Sequence, residues 1–445
     1  MATDPIRRIR AREHDVPVTF GIREALGNLA QLPPSLDVPY LTVTLDWTVM
    51  GDDPGREPPP EPRRSEARAR RDETGTTRRP ARREFEREMK AVLDAHGPRG
   101  AALDSLSADA ERIAAFLDDD LDPAAQGIFI VACSAQAVFE PFVFALPLPN
   151  RVTAAPVPAL SSLAWLIDDF PAYAVLLADQ HQATISKFRR AARGRSVRLE
   201  SSDWPRRQQT GGWSQKRLQA RADERVAAFA RGIAEETERT LGDADIDMLV
   251  TASDPVMGSA LSEAFSQRVA DRVVGSVTLD IQASEEEVFA ATWPLVEAVE
   301  REQELAAARA VVAGAAGDGL AVAGAPAVLR ALQVGQVATL VIADDFAGTG
   351  WADYGRDVYG AGAIPEAHPA GGDVADIAPV ALDEEMIRLA VRTGAEIEIV
   401  HTSVPVEDAA DGAIPKAGSP LPRSEAAAVL DECGGVGAVL RYAMA

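Results

Sequence analysis

Thr210-Gly211-Gly212-Trp213-Ser214-Gln215-Lys216-Arg217 sets two adjacent glycines in a loop, immediately ahead of a stretch that turns helical and basic. Beyond it Leu218, Ala222, Val226, Phe229, Ile233 and Thr237 recur at spacings of three and four. That period marks one buried face of a long helix, expected to end near Gly242. Before the glycines, 173–177 and 183–188 read as strands joined by the turn Asp179-Gln180-His181-Gln182, with a third strand candidate at 196–199. After the helix come a strand at 247–251, a helix at 255–265 and a strand at 273–279. Strands alternating with helices on both sides of the loop predict an α/β domain built on a mixed sheet.

The charge of this region opposes that of the chain. Between Lys187 and Arg225 twelve Lys or Arg stand against four Asp or Glu, a net of +8 in a protein whose net charge is −23. An acidic protein disfavours indiscriminate nucleic-acid binding, so contact with RNA is expected to be local and salt-sensitive. Without Cβ atoms, Gly211 and Gly212 let the backbone adopt positive φ and press its N–H groups against another molecule. Trp213 offers a flat face for stacking on an unpaired base, worth about 1–3 kcal/mol. Arg206 and Arg207 before the loop, and Lys216, Arg217, Arg221 and Arg225 after it, can neutralise phosphates on either side. The alternative is a flexible loop beside a surface helix, against which the self-repulsion of so many cations argues.

Outward from this centre, the first region opens with a strand at 40–47 in which Leu41, Val43 and Leu45 alternate with Thr42, Thr44 and Asp46. Residues 51–80 are rich in proline and arginine, with no apolar run to order them. Within 63–83 nine Arg face three acids, which reads either as a solvated loop or as a tether touching RNA phosphates. Helices are expected at 83–96 and 108–117 and strands at 127–132 and 137–146, with the proline-rich 147–158 as a boundary. A short helix at 160–167 opens the second region. Ser284 and Glu287 form a capping box for a helix of some seven turns, kinked at Pro294, that bridges to the last region. There helices at 326–332, 384–393 and 424–431 alternate with strands at 338–343, 396–401 and 436–441, predicting an α/β/α sandwich. A long Gly/Pro/Asp loop at 348–377 is expected on its rim. The division is thus 1–150, 151–282 and 283–445, with no fixed-period repeat.

At 445 residues and 47% hydrophobic, the chain has material for several domain cores. Its two cysteines, Cys133 and Cys433, lack paired spacing, and the first fifteen residues hold no apolar stretch, so buried thiols in the cytoplasm are expected. Arg309 and Asp318 interrupt the Ala-rich run after Leu305, which excludes a membrane span there. None of the five histidines lies three or four residues from another His or from Cys, so no metal site is expected. His181 reads as a turn residue rather than a base. No nucleophile elbow or P-loop is present, and Gly434-Gly435-Val436-Gly437 lacks the third glycine and following helix of a dinucleotide fingerprint. No cofactor is expected.

The middle region resembles the central domain of the archaeo-eukaryotic release factor 1 and Pelota superfamily, whose release factors carry a Gly-Gly-Gln loop ahead of a basic helix. The stretch at 395–400, followed by 434–442, is similar to the end of that superfamily's third domain, and 325–344 to its start. Trp and Ser-Gln after the glycines resemble the bacterial branch, with its Balon-like ribosome hibernation factors and Vms1-like peptidyl-tRNA hydrolases. The resemblance implies a three-domain, monomeric release-factor-like architecture. It also implies a factor in the ribosomal aminoacyl site whose loop, Gly211 to Arg217, reaches 23S rRNA at the peptidyl transferase centre. A translational GTPase such as elongation factor Tu would meet the third domain, and tRNA is a further possible contact. In release factors the glutamine directly follows the glycines and helps to place the attacking water. Here Trp213 and Ser214 intervene before Gln215, a shift of about 3.3 Å per residue along an extended chain. Misplacement by about 1 Å can cost about 10²-fold in rate. The Asn-Ile-Lys-Ser motif used at stop codons is absent. The leading expectation is therefore ribosome hibernation or protection. Peptidyl-tRNA hydrolysis with Gln215 orienting water is the alternative, and a general RNA-binding module or tRNA nuclease is a third reading.

Overall fold

The computed structural model describes residues 6–10, 22–48, 80–96, 99–118, 121, 125–144, 146–169, 171–189, 192–201, 215–242, 246–316, 319–403 and 422–442, with backbone alone at 6–10, 189, 192–201 and 215–222. Along the chain, β1 (Ile6–Arg10) and α1 (Ile22–Ala30) precede β2 (Tyr40–Asp46), α2 (Pro80–Ala95), α3 (Ala101–Asp118), β3 (Gly127–Cys133), β4 (Val138–Phe144), β5 (Arg151–Ala155) and α4 (Ser161–Asp168). Then follow β6 (Tyr173–Ala178), β7 (Gln182–Arg189), β8 (Ala192–Ser201), α5 (Gln215–Gly242), β9 (Met248–Ser253), α6 (Pro255–Ala264), α7 (Gln267–Ala270), β10 (Val273–Val277) and α8 (Glu285–Ala315). The rest comprises β11 (Ala321–Ala323), α9 (Ala325–Gln333), β12 (Val337–Ala343), β13 (Thr349–Asp353), β14 (Val358–Ala361), β15 (Ala378–Ala381), α10 (Leu382–Arg392), β16 (Glu396–Val400), α11 (Glu425–Asp431) and β17 (Val436–Leu440). The fold is α/β. It divides into two compact units, one of residues 1–16 and 170–303, the other of 17–169 and 304–445.

The first unit holds a mixed six-stranded sheet, ordered β1-β8-β7-β6-β9-β10. Pairs from β1 to β6 are antiparallel, whereas β6–β9 and β9–β10 are parallel. Period-two alternation sorts the side chains between two cores. Ala174, Leu176, Ala183, Ile185 and Leu249 face α5, where Val226, Phe229, Ala230 and Ile233 are buried as the helical spacing predicts. Tyr173, Val175, Phe188 and Val250 face the opposite way and pack with Val288 and Val296 of α8. The capping box at the start of α8 forms as expected: Ser284 N donates to Glu287 Oε2 at 2.7 Å and Glu287 N to Ser284 Oγ at 3.3 Å. The helix is longer than expected, 31 residues with Pro294 inside.

The second unit carries an antiparallel sheet, β4-β3-β2-β5, covered on one face by α2 and α3. Leu41, Val43 and Leu45 pack with Phe85, Met89, Leu106 and Ile113. Thr42 and Thr44 are buried too, Thr42 Oγ1 accepting from Ala159 N and Thr44 Oγ1 donating to Pro149 O. The proline-rich 147–158, expected as a boundary, contains β5, which pairs with β2. Its prolines flank the strand rather than interrupt it, and edge strands tolerate such neighbours.

A second sheet of this unit, β11-β17-β12-β16, pairs β12 with β16 in parallel and with β17 in antiparallel. Residues 304–315 of α8 and helix α11 cover one face through Ala308, Val311, Ala427 and Leu430. Helices α9 and α10 contact the same strands and bury Val328, Leu332, Met386 and Ile387, giving the expected α/β/α sandwich. Gly437 lies flush under α8, where a Cβ would overlap Val311. Gly434 and Gly435 adopt φ of 72° and 78° in the turn from α11 to β17, so this glycine run serves packing and a turn. Residues 348–377, expected as a loop, instead supply strands of a three-stranded sheet, β14-β13-β15. Its strands are only four or five residues long, and the buried Asp353 organises it by bonding His368 Nε2 at 2.9 Å and Arg356 Nη1 at 2.9 Å.

Candidate nucleic-acid interface

In the six-stranded sheet of the first unit the basic residues belong to the strands at one edge. Strands β1, β8 and β7 carry Arg7, Arg8, Arg10, Arg193, Arg195, Arg198, Lys187 and Arg189 against the single acid Glu200. At the other edge, β9 and β10 contain no charged residue. Register sets Arg8 beside Leu199 and Ile9 beside Arg198. The arginines of β1 escaped sequence reasoning. Ile6-Arg7-Arg8-Ile9-Arg10 is too short and polar for a period count, and its partner strand lies nearly two hundred residues away.

The connection from β8 to α5 contains the glycine loop. Arg206, Arg207, Gly211, Gly212, Trp213 and Ser214 lie outside the described residues. Gln215 is the first residue of α5, and Lys216, Arg217, Arg221 and Arg225 follow on the same helix. Positions 217, 221 and 225 are spaced by four and form one row along it. Arg225 is exposed, and the first described buried residue of α5 follows at Val226. From Gln215 to Val226 the helix advances about 16 Å at ~1.5 Å per residue. The end that bears the cations therefore lies about three turns from the first described core contact of α5.

Of the described histidines, His181 lies in a turn and two others are engaged by carboxylates. Asp179 Oδ1 accepts from the backbone of His181 at 2.7 Å and of Gln182 at 2.8 Å, closing a side-chain-bonded turn. His368 is buried against Asp353. In the second unit His401 lies between two carboxylates, Nδ1 at 2.9 Å from Glu304 Oε1 and Nε2 at 2.8 Å from Asp169 Oδ2. Burial disfavours the charged ring, but the hydrogen bonds to Asp169 and Glu304 outweigh it and raise its pKa from 6.5 to about 11. An imidazolium so held is no proton acceptor near neutrality. Among the described residues no group of three or more His, Cys, Asp and Glu is placed to hold a metal ion, and no helix is long and apolar enough to cross a membrane. Cys133 is buried and Cys433 half-buried.

Residues 158–297, the stretch that contains the loop and α5, match the family described as bacterial archaeo-eukaryotic release factor family 10. The match spans 140 of the 445 residues, so the likeness to bacterial archaeo-eukaryotic release factors is shown for this segment. Solved structures similar to the chain include the archaeal translation termination factor aRF1, at 16% identity over 94% of this chain and 98% of that one, with a TM-score of 0.23. Pelota of Archaeoglobus fulgidus is similar at 13% identity over 71% and 79%, with a TM-score of 0.29. Dom34 of S. cerevisiae, a translation termination-like factor interacting with Hbs1, is similar at 10% over 72% and 80%, with a TM-score of 0.34. No curated protein matches the chain.

Proposed function

We propose that this protein is a cytoplasmic, monomeric ribosome-binding factor that occupies the aminoacyl site, acting in ribosome hibernation or protection. One observation carries the reading: the release-factor family match encloses a double-glycine loop that runs into a helix with Lys216, Arg217, Arg221 and Arg225 in its first three turns. In this reading Gly211 to Arg217 meet 23S rRNA at the peptidyl transferase centre. The arginines of β1, β8 and β7 add cations on the same sheet, and each phosphate they neutralise steepens the salt dependence of binding. The last region would offer a surface to a translational GTPase such as elongation factor Tu. Separation of Gln215 from the glycines by Trp213 and Ser214 favours occupancy over hydrolysis.

The test replaces Trp213, Lys216 and Arg217 together with alanine. Ribosome affinity should fall at least tenfold, and the salt slope should flatten by about 1.5, near 0.7–0.9 for each lost phosphate contact. Unchanged affinity and slope would remove the ribosome from this account. Peptide release from peptidyl-tRNA, lost in Gln215→Ala while binding persists, would instead assign the hydrolytic function.

A further inference from the structure

Within the second unit a cavity of about 320 Å³ lies where α4, the end of β12 and the start of α10 meet. Its walls are apolar and aromatic, including Trp165, Phe346, Ile387 and Ile399, and it reaches two carboxylates, Asp344 and Asp383. That volume falls within the range of about 300–1,000 Å³ typical of small-ligand sites. Arg151 also reaches the cavity, but its charge is already answered: Nη1 donates to Glu384 Oε1 at 2.9 Å. The same carboxylate accepts from Ser161 Oγ at 2.6 Å, and its Oε2 from the amides of Leu160 and Ser161 at 2.6 and 2.8 Å. Glu384 is thus fully engaged, and the Arg151–Glu384 pair adds no net charge. Asp344 Oδ1 accepts from Thr402 N and Oγ1. Among the described residues neither the exposed Asp344 nor the half-buried Asp383 forms an ion pair, so with Arg151 answered by Glu384 the cavity keeps a net negative balance beside an apolar wall. Burial, and then the neighbouring Glu384, lift the Asp383 carboxyl above its ordinary range against the pull of Arg151.

We propose that this cavity binds an organic cation, a guanidinium or alkylammonium group on an apolar stem. The charged head would sit between Asp344 and Asp383 and the stem against Ile387, Ile399 and the aromatic rings. A neutral polar group of the same shape gains the stem contacts only, whereas a cation also gains two charge-assisted hydrogen bonds. Either a free amine or the Arg or Lys side chain of a partner has this chemistry.

Calorimetric titration of the full chain with agmatine, with Nα-acetyl-arginine amide and with the uncharged citrulline analogue tests the assignment. Both cations should bind at a stoichiometry of one and the citrulline analogue at least tenfold more weakly. Asp383→Asn and Asp344→Asn should each weaken binding at least tenfold without lowering the melting temperature. An arginine-centred hexapeptide that binds tighter than agmatine would identify a partner's side chain, and the reverse order a free amine; both support the site. Equal binding of the citrulline analogue, retention of affinity in both variants, or no binding of either cation would overturn it.

Discussion

His401 shows how one side chain ties together distant parts of the second unit. Its ring bonds Asp169 just past α4 and Glu304 in α8, and its backbone N–H donates to Glu304 Oε2 at 3.0 Å. Both carboxylates are more than nine-tenths buried, at 8% and 9% exposure. Removing the cation leaves them uncompensated, so His401→Gln should cost about 2 kcal/mol in urea unfolding at neutral pH. That is less than the ~3–5 kcal/mol of a fully buried pair, because His401 keeps 37% exposure. The sign in pH follows from a raised imidazole. Its stabilisation is complete below the unfolded value of 6.5 and is lost as pH climbs towards about 11, so the gap between wild type and variant should be narrower at about pH 9.5 than at about pH 6. Glu398 titrates the other way in charge. Burial, with Glu304 and Glu396 nearby, raises it from 4.5 to about 7 against the pull of His401. Its ionisation costs the fold progressively as pH rises through that window. Glu398→Gln should therefore melt higher than wild type at about pH 8 and equally at about pH 4; a difference independent of pH would contradict this assignment.

Among the elements, helix α6 displays a cap whose value can be isolated. Asp254 Oδ1 accepts from Val256 N at 2.8 Å and Met257 N at 3.1 Å, with Pro255 in the first helical position. Asp254→Ala should lower stability by about 1 kcal/mol, measured as a shift in the denaturant midpoint. Caps and faces of this kind were legible in the sequence because they are local. Ser284 with Glu287, the 226–233 face of α5 and the alternation in β2 all depend on neighbours within one helical turn or one strand. The elements that escaped reading depend on distant partners. The five residues of β1 become a strand through β8, and β5 through β2, neither through its own pattern. The sheet at 349–381 was obscured by glycines, of which Gly360 serves the close approach of the Trp351 ring. Arg388, buried against Glu385 and Tyr359 Oη, ties α10 to this sheet, a contact no spacing announces.

For the whole molecule, residue type nominates a candidate site, and topology adds a basic strand to the sheet of the same unit. Two glycines, a tryptophan and a basic helix were readable in order, because their chemistry does not depend on where the chain goes next. The arginines of β1 join those of β8 only once the sheet is assembled, which makes a separate prediction. Replacing Arg7, Arg8 and Arg10 with glutamine should weaken ribosome binding and flatten its salt dependence while leaving any preference for vacant ribosomes intact. The measurement that tests the central claim most directly is co-sedimentation of the protein with vacant ribosomes and with ribosomes holding a labelled peptidyl-tRNA, following peptide release in the same tubes. The account predicts salt-sensitive binding to vacant ribosomes, lost in the Trp213, Lys216 and Arg217 triple variant, with no peptide released. Release from the loaded ribosomes, or binding indifferent to those three residues, would contradict it.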